Sequence, residues 1–118
     1  MSHSYFSEVP EITVETLQNR LQSNPESLQL IDVREGEEVA IAALPNFKHL
    51  PLSEFAEWSD QIESAFDPHQ ETLVLCHHGL RSAQMCQWLM RQGFTDVKNI
   101  RGGIDAYARI VDLTLPRY

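Results

Sequence analysis

Basic residues are scarce in this chain: nine Lys and Arg stand against seventeen Asp and Glu, a formal net charge of −8. Broad binding to nucleic acid or to an anionic membrane requires basic surface, so neither is expected. A local nest of backbone N–H groups can still hold an anion against that overall field. Cysteine is rarer, with only Cys76 and Cys86 and no Cys-x-x-Cys pair. That argues against a disulfide-stapled secreted domain and for a reducing, cytoplasmic setting. No apolar run reaches the length of a membrane span. Met1-Ser2-His3-Ser4-Tyr5-Phe6 lacks the basic and apolar regions of a secretory signal. There is no internal repeat and no low-complexity segment.

What remains is an ordinary globular composition, 42% hydrophobic and 22% charged over 118 residues, long enough for one domain with its own core. Residues 1–8 read as a flexible terminus and 9–111 as the core of a single domain, with an extended tail from Asp112 to Tyr118. Val9-Pro10-Glu11-Ile12 suits a short edge strand, where proline is tolerated. Thr13 is placed to cap a helix, with Ile12 and Leu17 as a hydrophobic staple, and Ser23-Asn24-Pro25 ends it. Leu28 to Val33 is an apolar strand leading into Arg34-Glu35-Gly36-Glu37-Glu38, whose acids suit the first turn of a short helix to about Ala42. Phe47 to Leu50 gives a weak strand signal. Ser53 is expected to cap a helix carrying Phe55, Trp58, Ile62 and Ala65 on one face.

Thr72 to Leu75 is a buried strand, followed by a helix with an apolar stripe of Ala83, Cys86, Leu89 and Met90 and a stop at Gly93-Phe94. Val97 to Ile100 is a further strand, Gly102-Gly103 a turn, and Ile104 to about Val111 a last helix. Strands alternating with helices through short connections indicate an α/β domain with a mainly parallel sheet. Such sheets bind ligands beyond the carboxyl ends of their strands.

Cys76 stands at one such end, in Cys76-His77-His78-Gly79-Leu80-Arg81-Ser82. A thiol facing a helix N-terminus lies among unpaired N–H donors and the positive end of the helix dipole, a setting that favours thiolate. Gly79 permits the left-handed backbone of a tight cradle. Arg81 offers an anion a planar fork of donors, and Ser82 can cap the helix with its hydroxyl. His77, His78 and Leu80 complete the loop. Two adjacent histidines rarely point at one ion, and no further ligand cluster is evident, so neither metal nor cofactor is expected. Cys86, on the apolar stripe, reads as core, as do Trp58 and Trp88. Asp32 and Arg34 read as a charge pair near the loop, and Gly102 and Gly103 as residues that allow close packing beneath it.

The pattern C-x-x-G-x-R-S between strand and helix resembles the active-site loop of the rhodanese-like sulfurtransferases. Ile31-Asp32-Val33-Arg34-Glu35 resembles that family's first signature. Gly93-Phe94 with Val97-Lys98-Asn99-Ile100-Arg101-Gly102-Gly103-Ile104-Asp105-Ala106-Tyr107 resembles its closing stretch. The likeness runs from about residue 11 to 111. It implies a rhodanese-like α/β fold, a small parallel sheet of about five strands with helices on both faces. Val111-Asp112-Leu113-Thr114-Leu115-Pro116-Arg117-Tyr118 is similar to the end of rhodanese domains fused behind ubiquitin-activating-like adenylyltransferases. One departure stands out: Ala43-Leu44-Pro45-Asn46-Phe47 replaces the usual His-Ile/Leu-Pro-Gly-Ala-like turn, with Asn46, tolerant of left-handed geometry, where glycine is usual.

The resemblance implies transfer of a sulfane sulfur through a Cys76 persulfide. The donor would be a thiosulfate-like anion or a protein persulfide. The acceptor would be cyanide, a thiol such as that of thioredoxin, or a sulfur-carrier protein. The same fold also carries phosphatases and arsenate reductases, but those use C-x5-R, whereas Cys76 to Arg81 is C-x4-R, one residue short for a tetrahedral oxyanion. A non-catalytic binding or regulatory module is the alternative from a different class.

Overall fold

The structure, a computed structural model, describes residues 9–118. The flexible terminus expected over residues 1–8 lies outside the described residues. Five strands form one wholly parallel sheet: β1 (Glu11–Ile12), β2 (Gln29–Asp32), β3 (Lys48–His49), β4 (Thr72–Leu75) and β5 (Val97–Ile100), in the order β1-β5-β4-β2-β3. The central pair is registered Gln29 to Thr72 through Asp32 to Leu75, so the carboxyl ends of β2 and β4 finish level. The chain leaves β2 for β3 on one side and β4 for β5 on the other, which makes the gap above β2 and β4 a topological switch point.

Because side chains alternate along each strand, the apolar runs feed both faces. Leu30, Leu73, Leu75 and Ile100 face one way, onto α1 (Val14–Ser23) and α6 (Gly103–Ala106) with its continuation Tyr107–Val111. Ile31, Val33, Val74 and Val97 face the other way, onto α4 (Ile62–Ala65) and α5 (Leu80–Arg91). The expected layering of helices on both faces is the one observed. No helix among the described residues is long and apolar enough to cross a membrane.

Local signals account for most element ends. The Thr13 hydroxyl accepts the Thr16 N–H at 3.2 Å, and Ile12 and Leu17 are both buried, completing the staple. The helix α2 (Gly36–Ile41) opens on a reciprocal capping box between Glu35 and Glu38. At the end of α5, Gly93 takes φ +100° and the buried Phe94 donates its N–H back to the Leu89 carbonyl. Asn46 takes φ +71°, as its place in the atypical turn suggested.

Four expectations need correction. The helix predicted from Ser53 is not continuous: a 3₁₀ turn (Leu52–Glu54), α3 (Phe55–Trp58), a second 3₁₀ turn (Ser59–Gln61) and α4 follow one another. Ser53 does not cap it, because its hydroxyl and N–H are given to Glu35. Of the expected apolar face only Ile62 is fully buried, leaving too little packing to impose one regular helix. Second, the stripe of α5 is Ala83, Met85, Cys86 and Leu89; Met90, in the last turn at the edge of the stripe, is exposed. Third, the last helix is α-helical only over Gly103–Ala106 and widens to a π turn over Tyr107–Val111. Fourth, the tail does not simply run on: Tyr118 returns to the Cys76 loop.

Candidate active site

The loop begins where β4 ends. Gly79, at φ +97° and ψ +2°, turns the chain sharply enough that α5 starts at Leu80. Ser82 therefore does not cap the helix. It is its third residue, and its hydroxyl is free for a different task. A side chain at Gly79 would strain this left-handed turn and crowd the Gly102 nitrogen, 3.2 Å from where its Cβ would stand.

The cysteine sulfur sits on the floor of this turn, 1% exposed. The Gly79 N–H donates to Cys76 Sγ at 3.0 Å, and the Ser82 hydroxyl lies 3.2 Å from the same sulfur. Ser82 Oγ also donates to Asn99 Oδ1 at 2.5 Å, while Asn99 Nδ2 donates to the Gly79 carbonyl at 2.9 Å. Asn99, buried on β5, thereby ties the start of α5 to the strand beside it. The leading N–H groups of α5 have no partner within the helix and carry the positive end of its dipole.

The floor is braced from below by α6. Ile104 and Asp105 donate their N–H groups to the Cys76 and His77 carbonyls, each at 3.0 Å. This approach is possible only because residue 103 is glycine: a Cβ there would stand 2.4 Å from the His77 oxygen and 2.5 Å from the Cys76 oxygen. At Gly102 a Cβ would meet the Ala106 Cβ at 2.6 Å.

Arg81 is not free to face an anion. Its guanidinium is held by both oxygens of Glu38, at 2.7 and 2.9 Å, in a two-armed ion pair. This pairing holds the Glu38 carboxyl at about 2, well below its ordinary value, even though burial pushes the other way. Below that pair lies Arg34, fully buried, with all five N–H donors placed: on the Asp32 carboxylate, the Ala42 and Glu38 carbonyls, and the Tyr118 hydroxyl. Asp32 also accepts the Arg34 backbone N–H at 3.0 Å. The pair is a structural clamp at the end of β2, one layer from the loop.

Tyr118 closes the arrangement. Its hydroxyl accepts from Arg34 at 3.0 Å and donates to Glu38 at 2.9 Å, and its ring stacks on His77 with centroids 3.9 Å apart and planes 8° from parallel. His78 lies against His77, with ring centroids 3.8 Å apart and planes tilted by 35°. Burial lowers the His77 pKa, the charge of His78 adds to this, and the Tyr118 backbone, Glu38 and Asp105 pull weakly the other way. Leu80 is 72% exposed and forms an apolar point at the mouth.

The structure thus gathers Cys76, His77, His78, Gly79, Leu80, Arg81, Ser82, Gly102 and Gly103 around one sulfur, with Asp32 and Arg34 one layer away. Sequence reasoning missed Glu38, Asn99, Asp105 and Tyr118. Asn99 had a signal, a polar residue within an apolar strand; the other three had none, since their partners are distant in sequence. Cys86 is buried in the core, and burial pushes its thiol pKa well up, which fits an inert packing residue. Phe55, Trp58 and Trp88 form an edge-to-face trio with centroids 4.9 to 5.9 Å apart; Trp58 and Trp88 pack against the core, while Phe55 is exposed.

Comparison with known proteins agrees with this geometry. A family model described as a rhodanese-like domain matches residues 13–110. The chain is 46% identical over 112 residues to a rhodanese-like/PpiC domain-containing protein 12, chloroplastic, of Arabidopsis thaliana; the match takes in 93% of this chain but only 38% of that protein. It is 36% identical over 101 residues to a sulfurtransferase of Allochromatium vinosum, covering 86% of this chain and 90% of that one. A rhodanese-like domain protein of Staphylococcus aureus superposes with a TM-score of 0.73 at 32% identity, covering 93% of this chain and 99% of the other. Fold, loop and sequence together make this chain a member of the rhodanese-like domain family, closely related to bacterial sulfurtransferases.

Proposed function

We propose that the protein moves a sulfane sulfur through a persulfide on Cys76. The observation that carries this reading is the Gly79 N–H donating to Cys76 Sγ at the floor of a helix-terminal loop. A sulfur held there has a donor already aimed at it, and an added outer sulfur would meet the leading N–H groups of α5. In the first half-reaction the Cys76 thiolate attacks the outer sulfur of a thiosulfate-like anion or a protein persulfide. A new S–S bond forms, the donor's S–S bond breaks, and sulfite or the donor thiolate leaves with the electron pair. In the second, an acceptor thiolate or cyanide attacks the outer sulfur and Cys76 leaves as thiolate. The N–H groups from His77 to Ser82 stabilise the charge on the bound sulfur in both steps, in the manner of an oxyanion hole.

Two further observations support sulfur over phosphoryl chemistry. The loop is C-x4-R, and its arginine is spoken for by Glu38 rather than presented to a ligand. Exposed Leu80 at the mouth, and the ending similar to rhodanese domains behind adenylyltransferases, support a protein acceptor such as a sulfur carrier. Asp32 and Arg34 act as supports and Gly102 and Gly103 as spacers.

The test is intact-mass measurement after exposure to thiosulfate. Wild-type protein gains the mass of one sulfur, cyanide removes it as thiocyanate, and Cys76→Ser gains none. Equal thiocyanate production by Cys76→Ser overturns the proposal. Absence of any sulfur transfer, alongside tight capture of one protein partner, would favour a binding module instead.

A further inference from the structure

His77 and His78 alone did not suggest a metal site, but the fold adds a third donor that the sequence separates from them. Asp105 stands on the first turn of α6, and its own N–H is bonded to the His77 carbonyl at 3.0 Å. Gly103 lets that backbone approach, and the approach delivers the carboxylate to the histidines. One ring nitrogen from each histidine and one Asp105 oxygen lie within 4.8 Å of one another. We propose that His77, His78 and Asp105 bind a divalent transition-metal cation of the zinc class at the rim of the Cys76 loop.

Four features carry this. His77 Nε2 is, among the described residues, the buried side-chain polar atom with no hydrogen-bond partner. A native protein seldom leaves such an atom unanswered, and a lone pair toward a cation answers it. The donor set is two imidazoles and one carboxylate, which suits Zn²⁺, Co²⁺, Ni²⁺ or Cu²⁺ and not the oxygen-only coordination of Ca²⁺ or Mg²⁺. Three protein ligands leave a fourth position open to water or a substrate atom. Finally, the parts are differently constrained. The His77 ring is held in its stack with Tyr118, whereas His78, exposed and tilted 35° against the His77 ring, is the one that turns to bring both ring nitrogens onto one ion.

The geometry requires a small contraction. Ligand atoms of a tetrahedral site with bonds of about 2.0 to 2.1 Å lie roughly 3.3 Å apart, so the widest side of the triangle closes by about 1.5 Å. Asp105 can supply this. Its Oδ2 accepts a close bond from Arg109 Nε at 3.0 Å, but Oδ1 has only long contacts to Arg117, at 3.4 Å. Oδ1 is therefore the oxygen that exchanges Arg117 for the cation, while Arg109 keeps the carboxylate oriented as an outer partner. The Cys76 sulfur is not part of the cluster, so this binding is independent of the sulfur-transfer reading.

The experiment is calorimetric titration of the untagged, reduced full chain with ZnCl₂, with Co²⁺ absorption as a spectroscopic check. Binding of one Zn²⁺ per chain is expected in both the parent and Cys76→Ser. His78→Ala and Asp105→Asn should each weaken it at least tenfold, with circular dichroism unchanged. His78 is exposed, so its variant keeps the test sound should Asp105→Asn fold poorly. Three results would overturn the proposal: no Zn²⁺ binding at submillimolar concentration, binding that survives both His78→Ala and Asp105→Asn, or binding abolished by Cys76→Ser alone, which marks a simple thiolate adduct.

Discussion

Replacing Glu38 by Gln removes one charge and one acceptor oxygen from the centre of the network around the loop. Glutamine keeps one acceptor oxygen where the carboxylate has two, so it retains the Glu35 N–H bond of the capping box or the Tyr118 hydroxyl bond, not both. The larger loss is the charge facing Arg81 across 2.7 and 2.9 Å. The carboxyl titrates at about 2 in the folded protein against an ordinary 4.5, chiefly because of Arg81. Since the folded-state value is the lower one, this stabilisation is complete above pH 4.5 and disappears as the pH falls toward about 2. At about 1.4 kcal/mol per pH unit across that interval the limit is of the order of 3 kcal/mol. The Arg81 side chain is 35% exposed, and solvent screening reduces the effect; about 1 to 2 kcal/mol is expected at pH 7. In a domain of this size that is a fall in Tm of roughly 5–10 °C. Urea denaturation of parent and Glu38→Gln across pH 7 to 2.5 measures it. The gap between the two should be widest near neutrality and narrow steadily below pH 4.5. Equal stability at pH 7, or a gap that does not change on acidification, would refute this account of the Arg81–Glu38 pair.

Two further substitutions probe the cradle itself. Gly103→Ala places a methyl against the Cys76 and His77 carbonyls at a φ of +63°, and should cost more than about 3 kcal/mol in chemical denaturation, or prevent folding; a loss below about 1 kcal/mol would show that α6 does not brace the loop. Ser82→Ala strands the buried Asn99 Oδ1, and should cost about 1 to 3 kcal/mol, with Ser82→Thr recovering part of the loss by the same measurement.

Much of the fold was legible because the signals are local. Leu73-Val74-Leu75 is buried on both faces, and such a strand reads as an unbroken apolar run wherever it sits in the sheet. Thr13, Asn24-Pro25 and Gly93 mark helix ends through bonds that reach only a few residues. The stretch from Leu52 to Ala65 misled because its helical spacing was sound while its burial was not: Ile62 alone is fully buried, Leu52 and Trp58 only partly, and spacing does not reveal how much of a face is covered. Ser82 misled because Gly79 starts the helix without a side-chain cap, which frees the serine for the sulfur.

The sequence by itself determined the cysteine at the strand end, its glycine turn and the order of strands and helices, since each depends on backbone preferences within a turn or two. The tertiary structure alone decided what surrounds that cysteine. Glu38 reaches Arg81 across 43 positions and Tyr118 across 80, and Asn99 and Asp105 come to the loop from β5 and α6. These meetings follow from the order β5-β4-β2 and from level strand ends. Such pairing is a property of how the sheet is assembled, and residue spacing along the chain carries no record of it.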